Sequence, residues 1–184
     1  MKTSRHLLCW IAAAALTAAP VLLAAPPVPA AAGQTVPSFT GRDQDGSYWK
    51  LSDHIGKKVL FLYFFPKDDT AGCTTEACSL RDNMPELKQA GVDVVGVSFD
   101  DQDTHKNFAF KYNLNFPLLA DTRGAIADAY GVRAGEHKKM DRRVSFLIGL
   151  DGKILHVTDS PDPALHVKEL ANALARLRKI TCAR

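Results

Sequence analysis

The chain has 184 residues, 46% of them apolar and 23% charged, ordinary values for one soluble globular domain. Its net charge is +3, and Lys2 and Arg5 are the only formal charges among the first 32 residues, so a chain starting at Gly33 carries +1. No lasting basic excess remains, which argues against nucleic acid or an anionic membrane as a partner.

Taken in chain order, the N-terminus reads as an export signal. Lys2, Arg5 and His6 form a basic start, Leu7 to Ala25 is apolar and Ala-rich with Pro20 inside it, and Ala30-Ala31-Ala32 offers small residues for cleavage. The expectation is a leader over 1–32 that is removed, a domain over 33–184, and a periplasmic or secreted protein. An uncleaved anchor is the competing reading, because about 20 apolar residues can span a bilayer. Once the leader is cut, no membrane association is expected. The Pro/Ala-rich stretch 26–34 is expected to be flexible.

Asp43-Gln44-Asp45-Gly46 is a turn signal, with a short strand over Ser47–Leu51 after it. Lys58–Phe65 is apolar, aromatic and β-branched almost throughout, the pattern of a central strand buried on both faces, and Pro66 ends it. A polar loop, 67–72, leads into a helix expected from about Cys73 to Ala90, with Leu80, Met84 and Leu87 as its apolar stripe. Val92–Phe99 reads as a second buried strand, Asp103–Tyr112 as a helix, Phe116–Ala120 as a short strand and Gly124–Tyr130 as a short helix. Arg143–Leu150 and Lys153–Thr158 read as a hairpin around a two-residue turn, Asp151-Gly152. Pro163–Lys179 closes the chain as an amphipathic helix with Leu165, Leu170, Leu174 and Leu177 inward. A βαβ start, a hairpin and a final helix make an α/β chain of thioredoxin-like pattern, a central mixed sheet flanked by helices.

Cys9 lies in the leader, which leaves Cys73, Cys78 and Cys182, an odd number for an exported chain. Cys73 sits at the start of a helix that follows a central strand. Ligands of open α/β sheets bind in the crevice at strand C-termini, and a helix N-terminus favours negative charge. Both favour a thiolate there. As a bare residue, a free cysteine is as often a small buried hydrophobe, but Thr70, Gly72 and Thr74 are not the residues of an apolar pocket.

The run from Phe64 to Cys78 resembles the active-site motif of peroxiredoxins: a Pro, three residues, a Thr, two residues and the reactive Cys, here Pro66, Thr70 and Cys73. A cysteine five residues on, Cys78, resembles the bacterioferritin-comigratory-protein or peroxiredoxin Q subgroup. The likeness runs from about Gly41 through Asp151-Gly152 into the last helix, and Arg143 with Val144 to Ile148 matches the family's arginine-bearing strand. The resemblance implies a thioredoxin-like fold with the family's N-terminal extension, and a peroxidase of hydrogen peroxide and organic hydroperoxides. It implies Cys73 as nucleophile and Cys78 as its resolving partner, and Pro66 as a shield for the site. Thr70 would be a hydroxyl for thiolate and peroxide, Arg143 a charged fork for both, and Glu76 an anchor for Arg143. Glu76 alone reads equally well as a helix N-terminal charge. It further implies a thioredoxin-like dithiol reductant, a monomer, and neither cofactor nor metal. Ala71 departs from the subgroup, which often carries Pro there; the loop should open more easily for it.

A free cysteine is only about 3% ionised at pH 7, and a pKa near 6 would raise that about thirty-fold. A fast peroxidase needs more, from in-line positioning and stabilisation of the departing oxygen. Two residues five apart on a helix have Cα atoms about 8.6 Å apart, beyond the roughly 7 Å limit of a disulfide. The helix must therefore unwind if Cys73 and Cys78 are to join; otherwise Cys182 or a small thiol resolves the sulfenate. Cys182, expected in a short tail beyond the last helix, reads as incidental. The histidines show no metal-ligand spacing with the cysteines and read as solvated or structural. Competing functions on this fold are an exported copper metallochaperone, whose thiols have three residues between them where this chain has four, and a general disulfide oxidoreductase, which ordinarily uses two cysteines separated by two residues. A non-catalytic binding module has no positive feature.

Overall fold

The structure is a computed structural model and describes residues 30–135 and 137–182. The expected leader therefore lies outside the described residues but for Ala30, Ala31 and Ala32. Where the stretch 26–34 enters the description it is held rather than loose. Ala30 N–H donates to Tyr130 O at 3.3 Å and Gly33 N–H to Ile154 O at 2.8 Å, and the Ala30 side chain joins the core. Backbone bonds to the folded domain outweigh the weak ordering tendency of an Ala/Pro sequence.

The elements in order are β1 (Thr40–Arg42), β2 (Tyr48–Lys50), β3 (Val59–Phe64), α1 (Ala71–Asp82), α2 (Met84–Gln89), β4 (Val92–Ser98), α3 (Gln102–Tyr112), β5 (Leu118–Ala120), α4 (Ala125–Tyr130), β6 (Val144–Ile148), β7 (Ile154–Asp159) and α5 (Pro163–Cys182). β1 and β2 form a separate antiparallel ribbon; the other five strands form one mixed sheet in the order β5-β4-β3-β6-β7. β3 runs parallel to β4 and antiparallel to β6. Because successive strand residues point to opposite faces, β3 feeds two cores. Leu60, Leu62 and Phe64 pack with the ribbon and α4, while Phe61, Tyr63 and Phe65 pack under α1, α2, α3 and α5. An apolar run without polar alternation is what such a two-sided strand requires.

Three expectations need correction. The single helix from Cys73 to Ala90 is two helices, broken at Asn83, because Pro85 has no N–H to continue the ladder and sits where a new helix begins; the stripe Leu80, Met84, Leu87 is buried across the break. The β6–β7 turn has three residues, not two. Gly149 N–H bonds to Lys153 O, and Gly152 N–H to Gly149 O, with Gly152 at φ +73°. That is a type I turn closed by a left-handed residue, and it shifts the register between Leu147 and Ile148. Of the expected inner face of α5, Leu170 is buried, Leu174 packs partly buried on the core and Leu165 is half-buried, while the Leu177 side chain lies outside the described residues; His166 and Ala173, both buried, complete that face, and the helix runs on through Cys182 instead of ending before it.

Candidate active site

The topology brings the reactive segment and the arginine to one end of the sheet. Val144, the first residue of β6, lies opposite Phe64, the last of β3. The chain therefore leaves β3 into the loop that carries Pro66 and Thr70 at the same end of the sheet where Arg143 enters β6. Cys73 lies in the first turn of α1, 2% exposed. Arg143 Nη2 donates to its Sγ at 3.2 Å. Nη1 of the same guanidinium donates to Glu76 Oε2, and Nε donates to Pro161 O at 3.3 Å. Glu76, one helical turn after Cys73, shares its face of α1, so the planar fork spans both. Gly72 makes room: a Cβ there would stand 3.2 Å from Nη2.

Burial decides the electrostatics. Glu76 is fully buried, which pushes its carboxyl up from 4.5 to about 7, against the pull of Arg143. Burial would lower the Arg143 pKa, but Glu76 and Cys73 outweigh it and the guanidinium is held above its ordinary value. The site thus keeps a permanent cation against the sulfur. Among the described residues Glu76 Oε1 and the hydroxyl of Tyr63, on β3 beneath α1, have no hydrogen-bond partner, and burial holds the Tyr63 hydroxyl well above its ordinary range, with Glu76 adding to the effect. Glu76 Oε1 faces His166 Nδ1 at 3.9 Å. His166 is held low by burial. Its Nε2–H donates to Ser160 O at 2.9 Å, so Nδ1 is left to accept from Ser145 Oγ at 2.8 Å.

Pro66 is half-buried and, with Met140, Arg143, Ser160 and Pro161, lines a cavity of about 360 Å³ open at the mouth of the site. Thr70 is exposed at the N-cap of α1. Its hydroxyl donates to Lys67 O at 3.0 Å and makes no hydrogen bond to Cys73, so its lone pairs are what it can offer an incoming peroxide. Cys78 is half-buried further along α1, and both it and Cys73 are free thiols. The first turn therefore brings together Cys73, Arg143 and Glu76; Thr70 and Pro66 stand at its rim, and Cys78 stands apart on the same intact helix. Sequence reasoning missed Tyr63 and Ser145, and met Gly72 only as a sign that the pocket is not apolar. It met His105 and His166 only as scattered histidines, since their partners are distant in the chain.

The match to the model of the AhpC/TSA family covers residues 32–157. The chain is 45% identical over 152 residues to peroxiredoxin Bcp of Escherichia coli K12, covering 79% of this chain and 96% of that one. It is 40% identical over 146 residues to the chloroplastic peroxiredoxin Q of Populus jackii, covering 79% and 68%. Among solved structures, peroxidoxin BcpB of Mycobacterium tuberculosis superposes with a TM-score of 0.75 at 34% identity, covering 82% of this chain and 98% of that one. Peroxiredoxin Q of Xanthomonas campestris does so with a TM-score of 0.69 at 31% identity, covering 75% and 90%.

Proposed function

The chain belongs to the AhpC/TSA family, within its Bcp and peroxiredoxin Q group, and on that premise we propose that Cys73 is the sulfur that attacks hydroperoxides and Cys78 the thiol that resolves it. The protein is a thiol peroxidase. Thiolate Cys73 attacks the terminal oxygen of ROOH; the O–O bond breaks, the sulfur becomes S–OH, and the departing RO⁻ takes a proton to leave as ROH or water. Cys78–SH then displaces that hydroxyl as water and forms a disulfide. A dithiol reductant of thioredoxin type returns both thiols and leaves as its own disulfide.

The observation that carries this reading is the 3.2 Å contact from Arg143 Nη2 to a buried Cys73 Sγ. A fixed cation stabilises a thiolate, and the same fork can take the negative charge that develops on the departing oxygen. It also speaks against the metallochaperone, since a guanidinium on the sulfur repels a metal ion. Arg143 is the electrostatic partner, Glu76 its anchor, Thr70 an acceptor for the peroxide O–H and Pro66 the wall that keeps bulk water off. The intact helix between the two cysteines means α1 must unwind locally for the disulfide to close. Export to the periplasm or outside the cell after removal of a leader, and action as a monomer, complete the proposal. The leader rests on the basic start and apolar run, and N-terminal sequencing of exported protein tests it.

Stoichiometric peroxide titration with thiol counting tests the chemistry. Wild type should lose two thiols per peroxide and recover them with a dithiol protein. Cys73→Ser should consume none, and Cys78→Ser should react once and stop as the sulfenate. Undiminished turnover by Cys73→Ser would overturn the assignment.

A further inference from the structure

The loop between β3 and α1 is tied to α3 by contacts that the reaction scheme above does not use. His105, on α3, is fully buried, and its Nδ1 lies 2.7 Å from Asp68 Oδ2. Its Nε2 faces Leu119 O on β5 at 3.2 Å. A carbonyl can only accept, so Nε2 carries a proton, and a second proton lies between Nδ1 and the carboxyl. Asp68 is itself buried, and its N–H donates to Asp100 Oδ2 at 2.8 Å. The next residue, Asp69, holds a left-handed backbone at φ +56°, rare for a residue with a side chain. Its carboxylate accepts from Lys111 Nζ at 2.7 Å and from Tyr112 Oη at 2.6 Å. Two consecutive aspartates thus bind the loop to both ends of α3. The following residue is Thr70, whose hydroxyl hydrogen is taken by the carbonyl of Lys67, the residue before Asp68.

We propose that Asp68 and His105 are positioning residues of the peroxidase: they clamp the β3–α1 loop to α3, so that Thr70 keeps its place while α1 opens beyond it. The proposal rests on the roles given above to Cys73 and Cys78. A helix that must unwind in every cycle needs a fixed boundary upstream, or the rim that receives the next peroxide would be lost with it. The chain of contacts runs from His105 through Asp68 to the Lys67 carbonyl and the Thr70 hydroxyl. Within α1 the opening turn has no such tie to α3; there the cation of Arg143 holds it, and that hold changes when the sulfur is oxidised.

The test separates the two chemical steps in single turnover, by alkylation quench and mass spectrometry: the second-order oxidation of Cys73, and the first-order closure to Cys78. Asn places its amide N–H near the position of His Nδ1, and Gln near that of Nε2. His105→Gln should therefore keep the Leu119 contact and lose Asp68, slowing oxidation by about ten-fold or more while closure stays within about two-fold. His105→Asn, which still reaches Asp68, should restore oxidation to within about three-fold of wild type. Wild-type oxidation rates in His105→Gln, an equal slowing of both steps, or an Asn variant as slow as the Gln variant would each overturn the clamp. If His105→Gln does not fold, Asp69→Asn at the exposed tether should slow oxidation alone by about two- to three-fold, and no such slowing overturns the proposal as well. Absence of any Cys73 sulfenate in wild type would instead remove the peroxidatic assignment, and the clamp with it.

Discussion

The two halves of α1 are held by different forces, the first turn by charge and the rest by apolar packing. In the first turn Cys73 and Glu76 are buried and addressed from outside the helix by charge. Cys73 and Glu76 are both taken by Arg143, and a loop with two anchored aspartates precedes them. The second half is seated on the core by apolar Ala77 and Leu80, both fully buried, carries Cys78 half-buried, and is tied to Tyr112 O by Arg81 at 2.5 Å. Intrinsic tendency runs the other way. Gly72, Cys73, Thr74 and Thr75 are poor helix formers, the N-cap Thr70 makes no side-chain cap, and Thr75 Oγ1 spends its hydrogen on Ala71 O, a back-bond that weakens helices slightly. Tertiary contacts, then, and not propensity, keep the nucleophile's turn wound. A turn held that way is rigid for the attack and ready to open once its external partner is lost, which is the order of events the two cysteines require.

Removing the external partner is the largest way to break this comparison. Arg143→Ala should lower the rate of Cys73 oxidation by about 10² to 10³-fold, as loss of a preorganised charge at a developing anion does. Arg143→Lys should recover only part, since an ammonium cannot span sulfur and carboxylate as the fork does. Stopped-flow peroxide kinetics under single-turnover conditions reads this directly. A rate within about three-fold of wild type for Arg143→Ala would mean that the first turn is not held for chemistry at all.

The second prediction follows the helix itself. Oxidation of wild type should reduce the far-UV helical signal by the share of one to two turns, about four to seven residues. Cys78→Ser, which cannot close the disulfide, should keep it. Equal spectra for reduced and oxidised wild type would sink the unwinding step.

Much of this arrangement could be read from the chain alone, and the part that could not has a common cause. The β3 strand, the loop and α1 announce themselves locally, through an unbroken apolar run, a proline stop and the spacing of Pro66, Thr70 and Cys73. Arg143 was legible through the resemblance to the family's arginine-bearing strand, the apolar run after it marking the position. His105 and Asp68, in contrast, stand 37 positions apart, and His166 meets Ser145 across 21. No local periodicity marks a pairing made by the packing of two helices on a sheet. The break at Asn83 was masked by a stripe whose apolar spacing continues across it, although Pro85 was there to be weighed. The β6–β7 turn was misread by one residue because a bulge changes register without changing the hydrophobic pattern.

A smaller effect sharpens the electrostatic side. Burial raises Glu76 to about 7 from 4.5, so the folded protein holds a proton that the unfolded chain releases over that interval. The stability this contributes is complete below pH 4.5 and is lost as pH rises through 7. For a displacement of that size the ceiling is about 3 kcal/mol. Glu76→Gln cannot titrate. Urea unfolding at pH 4.5 and 7.5 should show wild type losing stability relative to this variant across the interval. A constant difference between the two proteins would mean that Arg143 keeps the carboxyl ionised throughout.

The smallest expected effect concerns Ala71, the first helical residue of α1. A proline is well suited to that position, because its missing N–H has no helical partner to lose. The preceding Thr70 already has φ −86° and ψ 150°, the extended conformation that a following proline imposes. Ala71→Pro should stabilise the reduced protein by about 0.4–1 kcal/mol through the unfolded chain, about 1–4 °C in melting temperature for a domain of this size. If the first turn must unwind for Cys73 to reach Cys78, the same restraint opposes the opened state, and disulfide closure should slow by about two- to five-fold while Cys73 oxidation is unchanged. Slower oxidation with unchanged closure would place the mobile boundary upstream of Ala71, in the loop that Asp68 and His105 hold. The same quench experiment, run on this one variant, thus tells whether the segment that unwinds begins at the first residue of α1 or before it.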